Sequence, residues 1–369
     1  MRRSRPTSGT TPEAASSTIR ASCATSCSPA CASRTDVRVG VVGAGGWGIN
    51  HVRVLANERL CRELVVHDTD PRQRARVAEV APAAQWVATF DEVVARCDAI
   101  VIATPAATHE ELATRAIAAG KQTLIEKPLA LSLEGARKLA ALPTQPGQIV
   151  MIGHLMLFHP AVRRLHELVR SGTLGHPYYA QATRVNLGRL RADETALWCL
   201  GTHDLSMLDF LFGEPGVEVS ACGKAVLQPG VEDVVFATVR YASGLMANLH
   251  VSWLHPRKER RFTLVCSRQM VEFDDVAREK LKIYDRGYDR PPDFKEFGEF
   301  LTIRDGDVHI PQIPMIEPLR AELQAFLHGA ATGTQPETDL ASALRVTAIL
   351  DAAERSIRHG GTPQAVEST

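Results

Sequence analysis

The sequence predicts an α/β protein in two parts, a doubly wound parallel sheet followed by an α+β domain whose sheet is largely antiparallel. Three observations carry this. Apolar strand-like runs alternate with helical stretches from Val37 to Gly153, the rhythm of a parallel sheet with right-handed crossovers. That rhythm then stops, and longer strand-like runs with few helices between them continue to about Tyr284, as antiparallel strands do. The length of 369 residues exceeds the roughly 250–300 at which one hydrophobic core stops growing.

Residues 1–35 contain mainly Ser, Thr, Ala and Arg, with Glu13 as their single acid and no apolar periodicity. They are expected to form a disordered tail, although a transit peptide would have a similar composition. From Val37 the β-branched run VRVGVV ends in glycines, and a helix is expected from Trp47 to about Glu58. Strands are then expected near Leu64–His67, Ala99–Ala103, Thr123–Ile125 and Ile149–Gly153, with helices opened by Pro71 and spanning Ala107–Ala119 and Leu131–Leu142. The first domain is thus placed at 36–153. The second, at 154–369, holds strand-like runs at Val217–Val226, Val234–Tyr241, Met246–Trp253 and Arg261–Cys266, and closes with helices near Pro318–Gly329 and Asp339–Arg358.

Composition narrows the partners. Hydrophobic residues make up 45% and charged residues 23%, ordinary for a globular protein. The 42 basic and 42 acidic residues cancel, so no global field favours nucleic acid or an anionic membrane. No run approaches the ~18 apolar residues of a membrane span. Cys61, Cys97, Cys199, Cys222 and Cys266 stand singly, as small core residues of a reducing, cytoplasmic protein do. Cys23, Cys27 and Cys31 are spaced by four, which matches neither zinc nor iron–sulfur patterns, so no metal is expected.

The sequence Gly43-Ala44-Gly45-Gly46-Trp47-Gly48 satisfies GxGxxG between a strand and a helix. In that context Gly43 allows the turn, Gly45 lets backbone amides approach a pyrophosphate, and Gly48 permits close packing. The helix N-terminus adds about half a positive charge. Asp68, about twenty residues on, suits the ribose hydroxyls and disfavours a 2′-phosphate, so NAD is expected, with Arg53 and Arg72 leaving room for NADP. Helix capping before Pro71 is the competing role for Asp68, and Asp70 fits that role better.

Glu126-Lys127-Pro128 follows an expected strand on the carboxyl edge of the sheet, where open α/β domains bind ligands, so Glu126 and Lys127 are expected to border the cofactor as well. Lys127 could hold a substrate oxygen and stabilise a developing alkoxide; a cis bond is open to Pro128. Solvent exposure in a loop is the plain alternative. His203, beside Asp204 near a helix start, suits proton transfer. Equally, Asp204 could cap that helix and His203 be a buried polar residue.

With these segments in view the chain resembles the Gfo/Idh/MocA oxidoreductase family from residue 36 onward. VGVVGAGGWGINHVRVL, VIATPAATHEELATRAIAAGK, LIEKPLALS, GHLMLFHPAV and GTHDL carry the likeness through their order and spacing. The resemblance implies that Lys127 is the active-site lysine, that His203 is the acid/base candidate, and that Thr104 and Pro105 border the dinucleotide. It also implies dimers or tetramers built on the outer face of the second sheet. Many members carry an aspartate four residues before the histidine, where this chain has Cys199. Either His203 works with Lys127 alone, or Asp204 partly substitutes.

The second half is most similar to nucleotide-sugar members such as the bacterial UDP-N-acetylglucosamine 3-dehydrogenases, through RVNLGRLRADETALWCLGTHD and LQPGVEDVVFATVRYASGLMANLHVSWLHP. Arg184, Arg189 and Arg191 could clamp a diphosphate, Asn186 a sugar hydroxyl, and Trp198 or Trp253 could stack on a base or fill core. His154 ends a strand near the cleft and is a better site candidate than His159. The expected activity is hydride transfer between NAD and a secondary alcohol or ketone of a sugar, at carbon 3 of a nucleotide-sugar. A dehydrogenase of free sugars or inositol is the rival enzyme, and a dinucleotide-sensing protein without turnover the rival of another class.

Overall fold

The structure, a computed structural model, describes residues 36–188, 190–191, 194–289 and 301–369. The 1–35 tail with Cys23, Cys27 and Cys31, and also Arg189, lie outside the described residues. Six parallel strands form the first sheet: β1 (Val37–Val42), β2 (Cys61–His67), β3 (Gln85–Trp86), β4 (Ala99–Ile102), β5 (Gln122–Glu126) and β6 (Val150–Gly153). Their order is β3-β2-β1-β4-β5-β6. The direction of growth therefore reverses between β1 and β4, which opens a crevice at the carboxyl ends of those strands. All but one residue of β1, and all of β4 and β6, are buried, because helices cover both faces and leave no solvent side.

Those helices are α1 (Gly48–Leu55), α2 (Gln73–Val80), α3 (Phe90–Arg96), α4 (His109–Ala118) and α5 (Leu133–Ala140). Local chemistry sets their starts: Thr89 accepts a bond from Glu92 N and Ser132 one from Gly135 N, so each satisfies an otherwise orphaned amide. The short α3 was not anticipated. Its apolar positions, Phe90 and Val93, form too brief a stripe to stand out as a period.

After β6 come α6 (Pro160–Arg170), β7 (Pro177–Val185), α7 (Thr202–Phe212), β8 (Gly216–Lys224), β9 (Val234–Tyr241), β10 (Met246–Ser252), β11 (Glu259–Cys266), β12 (Met270–Asp274), β13 (Leu281–Asp289), β14 (Thr302–His309), α8 (Pro318–Thr332), α9 (Leu340–Arg358) and β15 (Gln364–Ala365). The second sheet runs β14-β13-β12-β11-β7-β10-β9-β8-β15. Every pair is antiparallel except β7 with β10, where Met246 faces Tyr179 and Ser252 faces Val185 in parallel register. The sheet is therefore mixed and largely antiparallel. Alternate residues such as Ala180, Ala182, Leu249, Phe262 and Leu264 pack into one core with α6 and α7, while Tyr179, Phe236 and Met246 stay exposed on the other face.

The C-terminal helices do not simply belong with this second sheet. Leu319, Leu323, Phe326 and Leu327 of α8 share a core with Val39, Val41, Val52 and Leu55 of the first. Helix α9 serves both, with Ala343, Leu344 and Ala348 in the α5 core and Val346, Ile349 and Leu350 in that of the second sheet. Between α8 and α9, Ile152 N donates to Thr338 O, so the returning chain is tied to β6. No helix among the described residues is long and apolar enough to cross a membrane.

Candidate active site

The crevice beside β1, β2 and β4 is a cleft of about 490 Å³ lined by Gly43, Gly45, His67, Asp68, Thr104 and Pro105 among others. Gly43 has φ +90°, and a Cβ there would lie 2.7 Å from the Ala103 carbonyl, so only glycine makes this turn. A Cβ on Gly48 would fall 1.9 Å from Gly43 O, which explains the third glycine as close helix–strand packing. At Gly45 and Gly46 a Cβ would meet nothing within 4 Å. The loop thus leaves room in front of its amides, and the cleft fits a dinucleotide.

Asp68 follows β2 and lines this cleft as expected. Its Oδ2 already accepts from Ala44 N at 2.6 Å and its Oδ1 from Asp70 N at 2.8 Å. The acid therefore also shapes the glycine turn, with remaining lone pairs for ribose hydroxyls. Asp70, not Asp68, takes the local turn role, accepting from Arg72 N at 3.1 Å. Thr104 accepts from Thr108 Oγ1 at 2.7 Å. His109, which sequence reasoning missed, lies with Nδ1 2.9 Å from Pro128 O and Nε2 3.0 Å from Thr104 O. Burial lowers its pKa, so the neutral ring donates to one of these carbonyls and packs between the two loops that border the cleft.

Glu126, at the end of β5, is a hub. Its Oε1 accepts from Trp47 Nε1 at 2.6 Å and from His51 Nε2 at 2.7 Å, and its Oε2 from Lys127 N at 3.1 Å. Burial alone would raise its pKa, but the His51 and Trp47 bonds and the Lys127 charge outweigh that and hold it low. Glu126 and Trp47, expected to touch cofactor, are thus engaged with each other, although the Trp47 side chain stays 43% exposed. His51 was the missed partner; its place four residues after Trp47 puts it one turn further along α1. Behind this hub sits Glu322 of α8, fully buried with neither carboxylate oxygen bonded. Burial and then the nearby Glu126 charge push its pKa well up, so it is held as the neutral acid.

Lys127 lies on the carboxyl edge, and its bond to Pro128 is cis. Its Nζ donates to the Cys199 carbonyl at 3.2 Å. Cys199 sits in a π-helical turn, Leu197–Gly201, that runs directly into α7; such turns recur at functional sites. His203, one turn on, is half-buried, and its Nδ1 is sealed without a partner. Burial, then the positive charges of Arg184, Lys127 and Arg260, press its pKa well down. The ring is a neutral imidazole, able to accept a proton. His154, after β6, is buried with both ring nitrogens unpartnered and a pKa lowered by burial to about 4.

Two substrate expectations need correction. Arg184 is almost fully buried and chelates Asp204, with Nε 3.1 Å from Oδ2 and Nη2 2.8 Å from Oδ1. It does not face a diphosphate, because its fork is filled by a carboxylate inside the second domain's core. For the same reason Asp204 neither caps α7, which begins at Thr202, nor replaces the absent aspartate at Cys199. Arg191 pairs with Glu194 at 2.8 Å. Asn186 is half-buried on the loop after β7. Trp198 and Trp253 are core residues, and His159 accepts from Ala161 N at the start of α6.

A glycine turn at a sheet reversal, an acid after β2, and a lysine held by the turn that leads to a neutral histidine fit an NAD-binding oxidoreductase. Residues 37–154 match the model of the GFO/IDH/MocA oxidoreductase family with its NAD-binding Rossmann fold, and 162–272 match that family's C-terminal domain. The chain belongs to the Gfo/Idh/MocA family. It is 29% identical over 324 residues to UDP-N-acetylglucosamine 3-dehydrogenase of Acidithiobacillus ferrooxidans, covering 86% of this chain and 98% of that one. It is 31% identical over 230 residues to inositol 2-dehydrogenase of Acidothermus cellulolyticus, covering 58% and 66%. Among solved structures, the A. ferrooxidans enzyme GnnA superposes with TM-score 0.73 at 26% identity over 89% of this chain and 99% of that one. GenD2 from gentamicin A biosynthesis, in complex with NAD, superposes with TM-score 0.75 at 26% identity over 90% and 97%.

Proposed function

We propose that this oxidoreductase transfers a hydride between NAD and a secondary alcohol or ketone of a sugar, at carbon 3 of a nucleotide-sugar such as UDP-N-acetylglucosamine. The observation that carries the chemistry is the approach of Lys127 Nζ to the Cys199 carbonyl, in the turn that delivers His203. In the oxidative direction the neutral His203 ring takes the hydroxyl proton, and the Lys127 ammonium stabilises the oxygen as charge develops on it. NAD, when bound, supplies the hydride-accepting carbon. Gly43, Gly45 and Asp68 would hold it, with Thr104 and Pro105 beside it. Asp68 favours NAD; Arg72 is already engaged with Asp70 at 2.8 Å.

The choice of sugar is supported by the likeness, over 86% of this chain, to a UDP-N-acetylglucosamine 3-dehydrogenase. Arg184 lends it nothing, and Arg191 is shared with Glu194. The inositol 2-dehydrogenase likeness favours a free polyol as the second reading. We also propose a homodimer or homotetramer formed through the outer face of the second sheet, where Tyr179, Phe236 and Met246 are 42%, 52% and 39% exposed.

Purified protein with NAD or NADP is to be screened for NAD(P)H absorbance against UDP-N-acetylglucosamine, other nucleotide-sugars, free sugars and inositols, with Lys127→Ala as control. Reduction of NAD by a UDP-sugar, lost in the variant, is the expected result. Turnover with free polyols alone selects the second reading, and cofactor binding without turnover on any of them contradicts both.

A further inference from the structure

Glu194 lies five residues before Cys199, at the start of the segment that becomes the π-helical turn. Its side chain is 3% exposed and its Oε1 takes Arg191 Nη1 at 2.8 Å. Its Oε2 is buried and meets no nitrogen or oxygen donor, and the carboxylate's other neighbour is the Cys199 thiol, with which it makes a side-chain hydrogen bond. A thiol is a weak donor, so a carboxylate held by one cation and one thiol keeps much of its field, because a low-dielectric interior screens charge weakly. The neighbour that registers it is Cys199. Burial raises that buried thiol's pKa, Lys127 pulls it down, and Glu194 pushes it up again. The thiol therefore feels both a carboxylate and Lys127, while its own backbone carbonyl holds Lys127 Nζ at 3.2 Å.

We propose that Glu194 is the positioning carboxylate of this reaction centre: through Cys199 it orients Lys127 and balances its charge, the task for which no carboxylate stands at position 199. Asp204 is excluded from that task because both of its oxygens are taken by Arg184. Arg191 cannot cancel Glu194 entirely, since it reaches one oxygen only and its side chain is 49% exposed, where solvent weakens the pairing. The turn enforces the arrangement: Cys199 N donates to Thr195 O at 3.0 Å and Trp198 N to Thr195 Oγ1 at 3.4 Å, folding residues 194–199 back on themselves.

The inference rests on the sugar-oxidation reading, and its test is arranged to separate the two. Full-length Glu194→Gln keeps the shape and the bond from Arg191 but removes the charge. With the sugar identified by the screen, its kcat is expected to fall roughly tenfold or more, with NAD affinity and melting temperature unchanged. In the Glu194→Gln background, Cys199→Asp returns a carboxylate beside Lys127 and is expected to recover most of that loss. A purely structural role for Glu194 would not be repaired from position 199. Wild-type kcat in Glu194→Gln overturns the inference and leaves the sugar reading intact, as does a loss that Cys199→Asp fails to repair. Should the paired variant not fold, Glu194→Asp has to retain more activity than Glu194→Gln, and an equal loss is again contradictory. A wild-type protein that binds NAD yet oxidises no polyol overturns both readings.

Discussion

At the scale of single residues, the site is defined by which charges are paired and which are free. Arg184 and Asp204 form an enclosed ion pair, with side chains 4% and 2% exposed. Breaking such a pair from one side leaves an uncompensated buried charge. Asp204→Asn is therefore expected to cost about 3–5 kcal/mol of stability by denaturant titration. The double variant Arg184→Met/Asp204→Leu is expected to cost less than the single one. Equal losses would contradict the pairing account. The sequence placed Arg184 near His203 but could not show which way its guanidinium is used. Strand β7 alternates, and Arg184 falls on the inward side with Ala180 and Ala182, a parity set by register rather than composition. The position of Lys127 was legible because a short motif follows a strand at the sheet's carboxyl edge. Glu194 and His51 were not, because their significance depends on partners, Cys199 and Glu126, whose proximity only the fold creates.

At the scale of elements, α8 is the informative case. Its apolar residues marked it as a helix from sequence, yet they pack on α1 and β1, far back along the chain; periodicity reports a helix and is silent about its partner. Glu322 goes with it into the core. Because its pKa in the folded protein is raised, the native state binds more protons than the unfolded one above the ordinary carboxylate range. Stability on its account is full below that range and declines as pH rises through it. Glu322→Gln is thus expected to melt above wild type at pH 7–8, by roughly 1–3 kcal/mol of stability, and the difference should vanish near pH 4. A variant less stable than wild type at neutral pH would show that Glu322 has a partner that compensates its burial. The two sheets were readable as elements because their strands are β-branched runs. The strand order and the parallel β7–β10 pairing were not, since both depend on long-range closure.

At the scale of the whole molecule, the second sheet covers one face with α6 and α7 and leaves the other open. On that open face β7, β9 and β10 bring Tyr179, Met246 and Arg240 into one row across the strands, and Phe236 stacks on His250 with ring centroids 4.4 Å apart. A broad sheet face with exposed aromatic residues is suited to a second copy of itself. Light scattering on the purified chain is expected to give a dimer or tetramer, and Phe236→Glu with Tyr179→Glu to shift it toward monomer. A wild-type monomer at micromolar concentration would contradict this. The account's central claim is that His203 takes the proton of a sugar hydroxyl, with the Lys127 ammonium on its oxygen, while the carbon-bound hydrogen leaves for NAD. The direct measurement is mass spectrometry of the NADH formed from a sugar deuterated at the reacting carbon. The account predicts that the deuterium appears in NADH with wild-type protein, and that Lys127→Ala yields almost none; unlabelled NADH, or no NADH from any sugar although NAD is bound, would contradict it.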